Sequence, residues 1–175
     1  MPPWRNWWHL ILTTRGAWLP GDPRGFRSRD HRIHSSGDYK NRPPDGEHKK
    51  LHGYNKTKAK RPVVFTVEVR ELIGKSLLTK LEKEEIETLI VAIDPMHAHL
   101  LVRHTRYFND ATKLSGRLKQ AASHAIRNEI PGRIWASGGK PIPINDRAHQ
   151  LRVFNYIQDH ANEGAWVWHF KMQTS

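Results

Sequence analysis

Apolar residues recur along this chain with two periods, and the switches between them mark the elements. HLILTT (residues 9–14) is a short β-rich run that predicts a first strand. From Thr66, which stands where an N-cap would, Val69, Leu72, Ile73, Leu77 and Leu81 fall on one helical stripe. ETLIVAID (87–94) then reads as a buried strand, Asp94-Pro95 as a turn, and HAHLLVRHT (97–105) as a second strand close enough to pair with it. Asn109 or Asp110 caps a second helix with Leu114, Leu118, Ala122, Ala125 and Ile126 on its apolar face, and Pro131-Gly132 ends it. IWASGGKPIPI (134–144) holds at most an edge strand because of its two prolines. A third helix opens at Asn145 or Asp146, carries Leu151, Phe154, Ile157 and Ala161 on its packing stripe, and stops at Gly164. The order is β-α-β-β-α-β plus a helix. It predicts an α+β fold, a ferredoxin-like antiparallel sheet with an added C-terminal helix.

Composition changes this picture in one place. Residues 21–61 hold twelve Lys or Arg against five Asp or Glu and almost no aliphatic side chains. They read as a basic, Pro/Gly-rich insertion into a single domain spanning 1–175, and they supply about seven of the twelve net positive charges. A charge of +12 and a pI near 10.2 favour polyanionic partners, nucleic acid first. Cysteine is absent, which excludes disulfides, thiolate metal sites and cysteine nucleophiles, and fits a cytoplasmic protein. The N-terminal MPPWRNWWHLILTT has too short an apolar run to span a membrane and lacks the marks of a signal peptide.

Two short motifs carry candidate chemistry. Residues i and i+2 of a strand project from one face, so His97 and His99 would stand side by side in a chelating geometry. Ala98, Leu100 and Val102 would face a core. In a chain with twelve histidines, a half-buried strand with His at its polar positions has the same pattern. On the last helix Tyr156 and His160 are i and i+4, a spacing at which one side chain can hold a metal while the other reaches a substrate on it. An amphipathic helix with a partly buried tyrosine gives the same pattern.

Taken together, HAHLLV on a central strand and YIQDHANEGAWV on a C-terminal helix, within this strand order and a basic chain, resemble the single-tyrosine HUH transposases, including the REP-associated tyrosine transposases. The family strand is usually HVHLLV, and the opening HLILTTRGAWLPGDPRG is similar to the start of some members. Two departures stand out. Asp94-Pro95-Met96 precedes the histidines where the family more often has Met-Pro followed by Asp or Asn, and His160 stands where Gln or Asn is usual. An imidazole in place of an amide shifts preference from magnesium toward manganese or zinc.

The resemblance implies a DNA transposase or endonuclease. His97, His99 and His160 would hold one divalent ion (Mg or Mn, with Zn as a third choice), and Tyr156 would attack a scissile phosphate to form a 5′-phosphotyrosine. The implied substrate is single-stranded DNA folded into hairpins; relatives of the insertion-sequence type act as homodimers with shared sites, whereas the REP-associated type resembles a monomer, and the resemblance leaves both open. Lys113, Arg117, Lys119 and Arg152 are candidate phosphate contacts, with Trp4, Trp7 and Trp8 able either to stack on bases or to fill a core. His9, on the first strand, could approach the site across the sheet but is left outside the predicted set, and Tyr39, Tyr54 and Tyr107 lack the helical partner that Tyr156 has. Three other readings stay open: a nucleic-acid-binding module without catalysis, a nuclease in which water on a histidine-held metal is the nucleophile, and a decayed transposon copy, which the change at His160 keeps open.

Overall fold

The computed structural model describes residues 4, 6–23, 25–26, 34–36, 43–58, 61–139 and 141–174. The chain divides into two compact units, Met1–Thr14 with Val64–Ser175 and Arg15–Val63. The larger unit is α+β. Its strands are β1 (Trp7–Thr13), β2 (Thr88–Ile93), β3 (His97–Arg103), β4 (Ile142–Pro143) and β5 (Trp166–His169). They form one antiparallel sheet in the order β4-β1-β3-β2-β5. With α1 (Lys49–Lys58) in the smaller unit, and α2 (Val67–Lys83), α3 (Phe108–Ala125) and α4 (Arg147–Asp159) in the larger, the described residues hold four α-helices.

Register decides which side chains share a face, because directly opposed residues point the same way. Trp8, Leu10 and Leu12 of β1 stand opposite Val102, Leu100 and Ala98 of β3, and Val91 and Ile93 continue that face onto β2. Helices α2 and α3 cover it: the Trp8 ring meets Phe108 edge-on at 6.3 Å, and Trp166, paired with Ile93, packs on Gly74. The other face carries His9, Ile11 and Thr13 opposite Leu101, His99 and His97. Here α4 buries Val153 and Ile157 against Trp7, Ile90, Ala92 and Leu101. Both faces of β3 are therefore covered, and Ala98 through Val102 are all buried.

The helices start where their caps lie. Thr66 Oγ1 accepts from the Val69 amide at 3.4 Å, and Asp146 accepts from His149 N at 2.7 Å. The second helix instead begins at Phe108, with Tyr107 as its N-cap, while Asp110 sits in the first turn and accepts from Thr105 Oγ1 at 2.8 Å. That places a negative charge at the positive end of the helix dipole. Helices α2 and α3 are tied together by Glu84, which accepts from Arg117 Nη2 at 2.7 Å and pairs with Lys80 at 2.9 Å. Arg117 and then Lys80 hold the Glu84 carboxyl down at about 2.

Further expectations change: Leu72, Ala125 and Ala161, expected on packing stripes, are exposed. Helix α4 packs through Gln150, Val153 and Ile157, while Leu151 is 52% exposed. Gln150 is buried at a position an apolar count gives to no polar residue, because Arg147 Nη1 donates to its Oε1 at 2.8 Å. A fifth strand, β5, follows the last helix and extends the sheet beyond β2. In Arg15–Val63 the chain forms helix α1, which buries none of its residues, and a set of local bonds. In that unit Trp18 Nε1 donates to Gly25 O at 2.8 Å, and the Ser36 amide donates to the Glu47 carboxylate at 2.9 Å. The edge placement of β4 and its Pro143 agrees with the sequence, as do β2, β3 and the β2–β3 hairpin.

A Cβ built on Gly74 would lie 2.1 Å from the Trp166 ring, so a glycine in mid-helix is what lets β5 dock on α2. Gly74→Ala is expected to cost about 1–3 kcal/mol by overpacking, although alanine is favoured by about 1 kcal/mol in a free helix. In a Trp166→Ala background the same change becomes neutral or stabilising. Urea titrations of the four proteins measure the coupling; equal costs in both backgrounds would contradict this contact.

Candidate metal centre and its tyrosine

The hairpin between β2 and β3 places the first acid of the site. Asp94 N donates to His97 O at 2.8 Å, closing the turn, while Pro95 O accepts from Phe65 N at 2.7 Å and Met96 O from Thr14 N at 2.9 Å. Those bonds fix the turn to the start of α2 and the end of β1. Asp94 is consequently buried at the rim of the sheet. His160 arrives from the opposite direction. Helix α4 gives way at His160 to a single 3-10 turn (His160–Glu163), Gly164 reverses the chain at φ 83°, and Arg70 Nη1 of α2 donates to Gly164 O at 2.6 Å. Only glycine takes that left-handed conformation without strain.

Three donor atoms, one each from Asp94, His99 and His160, lie within 4.8 Å of one another, and these residues are the only such group of His or acidic side chains among the described residues. Asp94 Oδ1 is 3.3 Å from His160 Nδ1, and Asp94 Oδ2 is 3.7 Å from His99 Nε2. The His99 and His160 rings stack at 4.7 Å and 17°. Asp94 Oδ2 and both nitrogens of His160 are buried without a hydrogen-bond partner in the chain. Buried polar atoms are rarely left so, and an absent ion is one reason for it. One carboxylate and two imidazoles suit manganese or zinc better than magnesium. Two donors about 2.1 Å from one ion stand at most about 4.2 Å apart, so this triad is a small rotamer change from a chelating set.

Tyr156 stands over these groups. Its ring meets His160 at 4.9 Å and 80°, His99 at 5.7 Å and 87°, and His9 at 6.1 Å and 69°. It is also 51% exposed, so one side of the ring faces the cluster and solvent reaches the other. The i, i+4 pair of the sequence thus forms, although its two members lie in different helical elements. His97 is half-buried at the mouth of the hairpin, its ring 6.1 Å from that of His99 and outside the three-residue group.

Electrostatics follow from burial. Burial above all, then the neighbouring His9, His160 and His97, pushes the His99 imidazole down to about 2, and burial with His149 and His160 pushes His9 down to about 4. Both are neutral at physiological pH, the form that offers a lone pair to a metal. Burial raises the Asp94 carboxyl, opposed by His160, and burial followed by Asp94 and Glu163 raises the Tyr156 phenol. The site disfavours a protonated imidazole at His9 and His99 and a free phenolate at Tyr156.

The predicted cations divide. Arg117 is committed to Glu84, and Lys119 donates to the carbonyls of Ala136 and Gly138. Lys113 and Arg152 are exposed, on α3 and α4 respectively. Trp7 and Trp8 are core residues, and Trp4 packs against the cluster that holds Trp7. Tyr54 and Tyr107 are exposed on α1 and at the start of α3, and Tyr39 lies outside the described residues. Asp94 was legible only as a turn residue. Its position immediately after a strand and three residues before the HxH pair is the signal that marks it. No helix among the described residues is long and apolar enough to cross a membrane.

No family model and no curated protein matches the chain. Among solved structures, one described as "Structure of the REP associates tyrosine transposase bound to a REP hairpin" matches with a TM-score of 0.50 and 10% sequence identity. The match covers 94% of this chain and 71% of that one. The fold of a REP-associated tyrosine transposase is therefore shared, as the two motifs implied.

The buried imidazoles set a pH dependence. An imidazole whose pKa is lowered on folding binds its proton only in the unfolded chain, so its contribution to stability is complete above the unfolded value of 6.5. For His9 it is lost as pH falls from there to about 4. Each such group adds a slope of about 1.4 kcal/mol per pH unit in that window. Chemical denaturation between pH 7 and 4 is expected to show this slope, and His9→Leu to flatten it; identical slopes would mean that His9 is not buried as a neutral base.

Proposed function

We propose that this chain is a single-tyrosine DNA strand transferase of the HUH type, a nuclease that cuts and rejoins single-stranded hairpin DNA. The observation that carries the reading is the half-exposed Tyr156 ring set over the Asp94, His99 and His160 cluster. The shared fold with a REP-associated tyrosine transposase supports it. On this reading 1–175 is one domain with residues 21–61 as an insertion, and β1-α2-β2-β3-α3-β4 is its ferredoxin-like core. His99, His160 and Asp94 would hold a divalent ion, with His97 as a fourth donor on the same face of β3. Manganese or zinc fits this set, and magnesium less well.

When bound, that ion supplies positive charge to a scissile phosphate and holds it in place. Everything else is done by the chain. Tyr156 Oη forms a bond to phosphorus, the bond from phosphorus to the 3′ oxygen breaks, and the phenolic proton ends, through solvent, on the departing 3′-OH. A 3′-OH attacking the phosphotyrosine reverses the step, so strand joining needs no nucleotide cofactor. Burial that raises the Tyr156 phenol keeps it protonated until a cation and substrate are both present. Hairpin DNA reaches the site over the exposed cations Lys113 and Arg152, while Arg117 and Lys119 act through the positions they hold. A cytoplasmic protein, alone or as a homodimer, fits this work.

Incubation with manganese or zinc and labelled hairpin DNA is expected to give a protease-sensitive covalent band. Tyr156→Phe should abolish the band and lower cleavage at least about a thousand-fold. Cleavage that survives in Tyr156→Phe without a covalent band would establish the metal-water nuclease instead, and binding with no cleavage under any ion the binding module. Lys113→Glu and Arg152→Glu are each expected to weaken hairpin binding and to reduce the slope of log affinity against log salt by about 0.7–0.9. Arg117→Ala is expected to lower the melting temperature, because it frees Glu84. A filter-binding salt series and a thermal melt separate these effects.

A further inference from the structure

His9 and His99 share a buried hydrogen bond, with His9 Nε2 3.1 Å from His99 Nδ1. They lie on neighbouring strands: His9 opposes Leu101 and His99 opposes Ile11, so the two imidazoles stand diagonally on the face that α4 covers. Between two neutral rings that contact holds a single proton, and there are two ways to place it. If His9 donates, the remaining proton of His99 sits on Nε2 and points into the group of Asp94 and His160. The Asp94 Oδ2 carboxylate oxygen there is 3.7 Å away, too far for a hydrogen bond. If His99 donates from Nδ1, its Nε2 is a bare lone pair aimed at the place where the three donor atoms converge.

We propose that His9 is a positioning residue, an obligate acceptor that takes the Nδ1–H of His99 and so presents His99 Nε2 as the ligand atom. This rests on the reading of Asp94, His99 and His160 as a metal centre. His9 touches neither metal nor substrate; it acts on the ring that does. Partners of this kind fix the tautomer and orientation of a ligating imidazole, and losing one usually costs 10- to 100-fold in metal affinity. The adjacent Tyr156 ring, 6.1 Å from His9 and 5.7 Å from His99, closes the pair off on one side.

The test uses the full chain labelled with 15N at histidine. Long-range proton–nitrogen spectra of the wild type, without metal and with zinc, are expected to place the His99 proton on Nδ1; a proton on Nε2 overturns the assignment. Calorimetric titration with zinc and with manganese, in the absence of DNA, is expected to show affinity 10- to 100-fold weaker in His9→Leu. In His9→Gln, whose amide oxygen can accept the same proton, affinity should recover to within a few-fold. Unchanged affinity in a folded His9→Leu overturns the proposal, as does failure of Gln to restore what Leu loses in two folded variants. A wild type that binds neither ion while His99 still carries Nδ1–H would remove the metal reading and leave the tautomer assignment standing.

Discussion

A strand covered on both faces has nowhere to hydrate a polar side chain, and that constraint shapes the whole site. Strand β3 runs between β1 and β2 with α2 and α3 over one face and α4 over the other, so His99 is buried along with its apolar neighbours. Desolvation makes the charged imidazolium untenable there, and a neutral imidazole must find partners within the protein. It finds His9 on one nitrogen and the region of Asp94 and His160 on the other. The sheet thereby presents a metal ligand in its uncharged form, at the cost of fixing polar groups on three surrounding elements.

Those elements are fixed by contacts remote from the chemistry. Arg70 reaches from α2 to the carbonyl of Gly164 and holds the turn that follows His160, while Phe65 and Thr14 hold the hairpin that carries Asp94. Helix α2 and the residue Phe65 just before it thus hold the turns that flank His160 and Asp94. The seat of α2 depends on Gly74, which admits Trp166, and on Glu84, which joins it to α3. A disturbance at any of these points would alter the separation of the three donor atoms, which lie within 4.8 Å of one another. Burial, followed by Asp94 and Glu163, raises the phenol of the tyrosine above them, so a free phenolate is disfavoured there.

What the sequence disclosed tracks how local each signal is. The β2–β3 hairpin, the Thr66 cap and the stop at Gly164 are set by neighbours in sequence, and each lies where periodicity and turn chemistry put it. The i, i+2 and i, i+4 spacings of His97, His99, Tyr156 and His160 are local too, so both motifs were visible. Strand β5 was not. Its four residues carry two tryptophans, a valine and a histidine, half-buried on both faces, and pair only because β2 offers an open edge. His9 and Asp94 join the site through β-ladder register and a turn, which no spacing along the chain encodes. Leu151 and Gln150 exchange their expected places for a similar reason: Arg147, one turn away, makes the buried amide acceptable.

Charge gives the sharpest case of what a count leaves out. Lys113, Arg117 and Lys119 of α3 all read as phosphate contacts, yet Arg117 and Lys119 spend their donors on the protein itself. Arg117 closes a bidentate pair on Glu84, and Lys119, its ammonium partly desolvated and its pKa lowered mainly for that reason, bonds two loop carbonyls. A cation so engaged must break an internal hydrogen bond before it can neutralise a phosphate, whereas Lys113 and Arg152 give up only water. Affinity for a polyanion therefore depends on how many cations remain uncommitted after folding. In this protein the helices that present the basic residues are held together by some of the same residues, which makes part of the +12 structural.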